Sequence, residues 1–369
     1  MLEQECTFHP EVMEERSMSE LISLVLLFVP LFAVFWAANV AEGRRARGEP
    51  YEMPALAAYL LLAALYAGGV AIGLLIQLGA ALFAMQPGLL AEAGITGVEE
   101  GVASLPLVGL SLWLPSLLGL VLLLPPVRRM VARLLPMDPQ NPVHGVALAL
   151  SMLILTNLLI TLGMGLGNLA DMVAEADNGR DGTALLTLWA QQILTALLAM
   201  VGVGWLTRRD LRATLARLGI VMPSARQWLI GVGLGVAMVP VVLALEYVAS
   251  LVGMGASADV ERLTEELLGP LFQSPFGILT LGLSAALGEE TIFRGAAQPR
   301  FGLIATALLF ALIHSNYGIT ISTLAVFLVG LLLGWVRLRH NTTTAMALHA
   351  VYNITLGLLA YLSTSMLDF

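Results

Sequence analysis

Residues 283–295 read LSAALGEETIFRG, and the charged groups they carry, Glu289, Glu290 and Arg294, sit in the middle of an apolar run. Two later apolar stretches repeat the pattern: LLFALIHSN at 308–316 holds His314, and MALHAVYNI at 346–354 holds His349 and Asn353. The surroundings decide the fold class. Of 369 residues, 58% are hydrophobic and 12% charged, with a mean hydropathy of +0.86, whereas a soluble domain carries about 25% charged residues. This is the composition of a polytopic membrane protein. A titratable group at bilayer depth is expensive, so one found there faces a protein interior or a wet cavity and marks transport, proton relay or catalysis.

Since about 20 apolar residues cross a bilayer, the sequence predicts an all-α transmembrane bundle of about ten spans. They fall near 21–40, 55–85, 105–124, 145–169, 184–206, 228–252, 276–297, 302–318, 319–336 and 342–366. The second is long enough to require a tilt, a kink or an interfacial piece. The stretch before Leu21 is acidic (Glu3, Glu5, Glu11, Glu14, Glu15) where a cleavable signal would be basic, so the first span is expected to persist.

The chain has no lysine, and its arginines follow the odd spans: Arg44, Arg45 and Arg47; Arg128, Arg129 and Arg133; Arg208 to Arg226; Arg300; and Arg337 with Arg339. By the positive-inside rule, every odd span ends in the cytoplasm and both termini lie outside it. The net charge of -8, with arginines scattered in short clusters, argues against nucleic acid as a partner. The lone Cys6 excludes an internal disulfide framework and any cysteine-based metal site. The Arg208–Arg226 connector is expected to divide an N-terminal accessory region of about five spans, 1–220, from a C-terminal region, 221–369, that holds the polar residues quoted above. Residues 255–275 put Val260, Leu263, Leu267 and Leu271 at helical spacing among acidic residues, as an interfacial helix or a lid over a substrate entrance.

Helical spacing sorts the unusual residues. Glu290 and Arg294, four apart, share a face and can pair. Glu289 points about 100° away, free to face a different cavity, where a low-dielectric setting makes a carboxylate a stronger base. His349 and Asn353 also share a face and could together stabilise an oxyanion. A short connector through Gln298, Pro299 and Arg300 makes spans seven and eight antiparallel neighbours, bringing His314 towards Glu289 to share a water or a metal. Elsewhere, Gln77 and Asn157 read as interhelical hydrogen-bond formers, Glu246 as a satisfied or snorkelling carboxylate, and Gly231, Gly233 and Gly235 as close helix packing.

The three elements, Glu289-Glu290-x-x-x-Arg294, Phe310-x-x-x-His314 and His349-x-x-x-Asn353, in that order and each on its own apolar span, resemble the motif set of the CPBP intramembrane proteases. This family comprises type II CAAX prenyl endopeptidases and bacteriocin-processing or immunity membrane proteins. The resemblance covers 221–369 and implies an intramembrane endopeptidase of the cell membrane, in bacteria the plasma membrane. Its substrate would be a membrane-associated peptide or protein, CAAX-type prenylated proteins being one candidate. It makes Glu289 and His314 the water-activating pair, Glu290 and Arg294 the supporting pair, and His349 with Asn353 either the oxyanion hole or metal ligands. A divalent metal such as zinc on Glu289, His314 and His349 stays open. HExxH is absent and an amide is a poor zinc ligand, which favours a mechanism with no obligatory cofactor. The competing class is a non-hydrolytic membrane scaffold that binds peptides, or a proton-coupled transporter. A transporter would be expected to spread its polar residues over two related halves, whereas here they concentrate in one.

Overall fold

The computed structural model describes residues 10–85, 99–177 and 183–367, and among them the regular elements are all helical, apart from one isolated bridge between Trp205 and Arg209. In chain order these are α1 (Pro10–Ala46), α2 (Glu52–Met85), α3 (Glu99–Leu122), α4 (Pro125–Val131), α5 (Pro142–Leu150), α6 (Met152–Met164), α7 (Leu166–Asp177), α8 (Thr183–Gly202), α9 (Leu211–Leu218), α10 (Ala225–Leu251), α11 (Ala258–Phe272), α12 (Pro275–Glu289), α13 (Gln298–Ile313), α14 (Ile321–Arg339) and α15 (Thr342–Leu367). A π-helical segment, Glu290–Ala297, continues α12. Local chemistry sets many of the starts. Ser224 and Gln227 form a capping box on α10, Ser257 caps α11, and Ser274 with Pro275 opens α12.

Nine helices among the described residues are long and apolar enough to cross a membrane, one fewer than the expected ten. The difference lies in Pro275–Ile313, where two expected spans run on as one helical stretch. Gly302, at φ 79° and ψ 172°, interrupts it. Only glycine adopts that backbone region without strain, and there the chain turns back on itself. Phe293 and Phe310 meet with ring centroids 5.4 Å apart, although an unbroken helix would separate them by about 25 Å. The returning limb, 303–313, rises only about 16 Å against a hydrocarbon thickness of about 30 Å. His314 follows directly on its end. The long second span is one continuous helix of 34 residues, Glu52–Met85.

Large apolar side chains such as Leu75, Leu82 and Leu229 point outward, as lipid requires, while small residues bring the backbones together inside. A Cβ on Gly231 or Gly235 would press into Thr344 O or Leu348 O of α15, whereas one on Gly233 meets nothing within 4 Å; two of the three glycines are packing positions. Trp113 donates to Gln77 at 2.9 Å between α2 and α3, the interhelical role expected of Gln77. The expected amphipathic piece is α11, which buries Val260, Leu263 and Leu271 and ties Arg262 to Asp171 of α7.

Candidate functional site

The site forms where α12, the π segment, α13 and α15 meet. Glu289 closes α12 and Glu290 opens the π segment, a local widening that often marks functional positions. Adjacent in sequence, the two glutamates take part in different clusters.

Glu290 is fully buried and holds two partners on one oxygen. Arg294 donates from Nη1 to Glu290 Oε1 at 3.0 Å, and His349 donates from Nδ1 to the same oxygen at 2.9 Å. Arg294 is also buried, reaches Gly330 O at 3.3 Å, and lies 4.0 Å from the centroid of the Phe310 ring. Phe310 in turn meets the rings of His314 at 4.8 Å and His349 at 5.9 Å. A carboxylate, a guanidinium, an imidazole and an aromatic face thus gather in the core, with both hydrogen bonds on Oε1 and Glu290 Oε2 buried without a partner among the described residues.

Glu289 instead borders a cavity of about 920 Å³, together with His314 and Asn316. Its Oε2 lies 3.9 Å from His314 Nε2, and that oxygen is buried without a hydrogen-bond partner among the described residues. The orientation of His314 is fixed from behind, its Nδ1 lying 2.7 Å from Phe310 O. A carbonyl can only accept, so Nδ1 carries the proton and the Nε2 lone pair of the neutral ring faces Glu289. The following turn is pinned by Ser315, which receives a hydrogen bond from Asn157 at 2.9 Å and pairs with Thr161 at 2.9 Å. Asn157, read as an interhelical bond former, is thus an anchor for the loop that presents His314. On the other wall, Gly288 lets α12 lie directly against Gln192 of α8.

His349 and Asn353 do not border that cavity. His349 is turned by Glu290, and Asn353, half-buried one turn later, forms no side-chain hydrogen bond among the described residues. The candidate metal set fares no better. Among the described residues no three His, Cys, Asp or Glu side chains gather at metal-ligating spacing, because Glu290 holds His349 apart from Glu289 and His314. The residues do not fit a zinc ion, which needs three protein ligands at about 2.0–2.2 Å.

Residues 271–355 match a family model described as type II CAAX prenyl endopeptidase Rce1-like. That segment, under a quarter of the chain, is similar to the CPBP family of membrane peptidases. The matched CPBP segment carries all six residues singled out above, from Glu289 to Asn353, and begins within α11. No curated protein and no solved structure matches the chain.

Several contributors carried no signal of their own in the sequence. Gln192, Ser315, Thr161 and Gly330 are ordinary residues of apolar helices until tertiary contacts give them partners. Arg208, Arg209, Arg217 and Arg300 read as membrane-topology markers, yet all four line the same cavity as Glu289.

Proposed function

We propose that the protein is an intramembrane endopeptidase in which Glu289 and His314 hold and activate the attacking water. The observation that carries this reading is the 3.9 Å gap between Glu289 Oε2 and His314 Nε2, with both atoms presented as acceptors. That gap is too long for a direct hydrogen bond and short enough for one water oxygen to donate to both. Glu289 takes one proton as the water oxygen bonds to the scissile carbonyl carbon. It then returns that proton to the amide nitrogen as the C–N bond breaks, the usual exchange of base and acid roles. His314 accepts from the second hydrogen and aims the oxygen. The oxyanion role of Asn353 rests on the motif resemblance alone, since its side chain does not border the cavity of Glu289 and His314 and α15 would have to shift to bring it there. His349 could join it only as an imidazolium, since Nδ1 already faces Glu290.

The mechanism requires no metal, in keeping with a donor set that does not converge. The cavity wall is largely apolar, running past Leu27, Leu31, Leu150 and Ile154, which suits a hydrophobic or lipid-modified peptide arriving from the bilayer. Cleavage of fluorogenic membrane peptides by the purified protein in detergent, with and without chelator, tests the reading. Turnover by wild type and none by Glu289→Gln is expected; equal turnover by both removes Glu289 from the chemistry.

A further inference from the structure

Gln192 borders the cavity that holds Glu289 and His314, and it comes from α8, outside the 271–355 family match. The residue is 8% exposed, and its amide forms no hydrogen bond among the described residues; Oε1 is buried without a partner. Burying an amide that way is unfavourable, so a buried polar group left unpaired in a packed wall asks for a reason. Helix packing is not the reason. The same face of α8 continues with Ala196 and Ala199, both buried, and Gln192 lacks the interhelical hydrogen bond that Gln77 and Asn157 each make.

Gly288 places the amide beside the reacting carboxylate. A Cβ on Gly288 would fall 2.0 Å from Gln192 Oε1, so the amide lies against the α12 backbone one residue before Glu289. Consecutive Cα atoms are about 3.8 Å apart, which sets the amide next to the stretch of backbone that carries the base. With Oε1 buried there, the group that Gln192 presents to the cavity is Nε2, an uncharged nitrogen with two N–H donors. Other neutral groups on this wall are committed or turned away. Ser151 donates to Leu148 O at 2.7 Å, Thr195 donates to Gln191 O at 2.8 Å, and Asn316 bonds to Tyr317. Gln191 is exposed, and Asn141 caps the far end of α5.

We infer that Gln192 is the oxyanion donor of this site, its Nε2–H binding the scissile carbonyl oxygen as that oxygen gains negative charge. This rests on the peptidase reading above and supplies a group that the cavity wall otherwise lacks. The attacking oxygen arrives from the Glu289–His314 pair. As the carbon becomes tetrahedral, the carbonyl oxygen needs a hydrogen-bond donor in the same cavity. An amide suits the task, because it donates whatever the protonation state of Glu289 and adds no charge beside that carboxylate. Its N–H is unpartnered and held by packing, so no other hydrogen bond has to break when the oxyanion forms. The assignment also gives glycine at 288 a chemical reason, since any Cβ there would displace the amide.

The full-length protein in nanodiscs would be assayed on a fluorogenic membrane peptide as wild type, Gln192→Met, Gln192→Asn and Asn353→Ala. Methionine keeps the volume and donates nothing. Gln192→Met is expected to lower kcat by about 10² to 10³ with KM near wild type. Gln192→Asn, which keeps the amide on a shorter stem, should fall between the two. Binding adds a readout that packing alone does not move. The same peptide is made with a trifluoromethyl ketone, which hydrates to a tetrahedral diol, and with a reduced amide, which has no oxygen at that carbon. In Gln192→Met the ketone affinity should fall in step with kcat while the reduced amide binds as it does to wild type. The ratio of the two affinities does not depend on how much of the variant is folded. Wild-type kcat in Gln192→Met would overturn the assignment, and so would a lower kcat with an unchanged affinity ratio, which would leave Gln192 a packing residue. Loss of the ketone preference in Asn353→Ala but not in Gln192→Met would move the donor to α15 and overturn it as well. Those outcomes sink Gln192 alone, whereas a wild type that cleaves nothing sinks the peptidase reading and this role with it.

Discussion

His349 donates its Nδ1 proton to Glu290 Oε1 at 2.9 Å, joining α15 to the π segment across 59 residues of chain. Because Arg294 binds the same oxygen, Glu290 is the hub of a buried three-residue cluster with side-chain exposures of 0%, 1% and 5% for Glu290, Arg294 and His349. Removing one member of such a cluster leaves an uncompensated charge at a cost of about 3 to 5 kcal/mol. Glu290→Gln should therefore lower the melting temperature in detergent markedly, and His349→Ala should do so to a lesser degree. A normal melting curve for Glu290→Gln would show that Arg294 finds another counter-charge.

Glu289→Gln should behave in the opposite way. The amide keeps the volume, and among the described residues Glu289 has no ion-pair partner closer than the 3.9 Å His314 contact, so stability should stay near wild type while turnover disappears. His314→Ala should cost about 10² to 10⁴ in kcat, the range of a positioned acid–base group. Circular dichroism melts run alongside peptide-cleavage assays separate the two glutamates.

Much of this site was legible because membrane burial makes polar residues conspicuous. The separation of Glu289 from Glu290 follows from helical angle, and the Glu290–Arg294 pair from i, i+4 spacing. The link between Glu290 and His349 was not legible, since it depends on how α15 packs against the π segment. For the same reason the face shared by His349 and Asn353 could not reveal that Glu290 claims the imidazole. The expected eighth span merges with the seventh on backbone grounds: 303–313 is apolar apart from Thr306, and nothing in hydropathy reports that Gly302 turns the chain back and leaves a short limb. The four cavity arginines were hidden by a rule that explained them too easily.

Gly288 provides a test of the cavity wall. A Cβ there would fall 2.0 Å from Gln192 Oε1 and 2.8 Å from Gln192 O, and the second contact is backbone. Gly288→Ala must push α8 and α12 apart next to the reacting carboxylate. Both a lower melting temperature and a reduced kcat are expected, with partial recovery of the melting temperature in Gly288→Ala/Gln192→Ala. Unaltered activity in Gly288→Ala would mean that this contact does not position Glu289.

The arginine distribution predicts that Arg44, Arg128, Arg212 and Arg337 face the cytoplasm and both termini lie outside it. After replacement of Cys6, an Arg212→Cys variant should react with an impermeant maleimide only in inside-out vesicles. Labelling from the outer side of intact cells would reverse the topology.

The metal question turns on Asn353 and His349 together. If Asn353 donates to the tetrahedral intermediate, Asn353→Ala removes an interaction made mainly in the transition state, lowering kcat by about 10² to 10³ with little change in KM. His349→Ala should instead lose stability, because Glu290 and Arg294 lose a partner. If both were ligands, the two variants would lose zinc in parallel, and 1,10-phenanthroline would inactivate wild type with recovery on adding zinc. Elemental analysis of purified protein is expected to give well under one zinc per chain, with weak chelator sensitivity, because Glu290 draws His349 away from Glu289 and His314. One tightly bound zinc per chain, lost with activity in both variants, would require α15 to rotate His349 off Glu290. That outcome would defeat the metal-free mechanism while leaving the peptidase assignment in place.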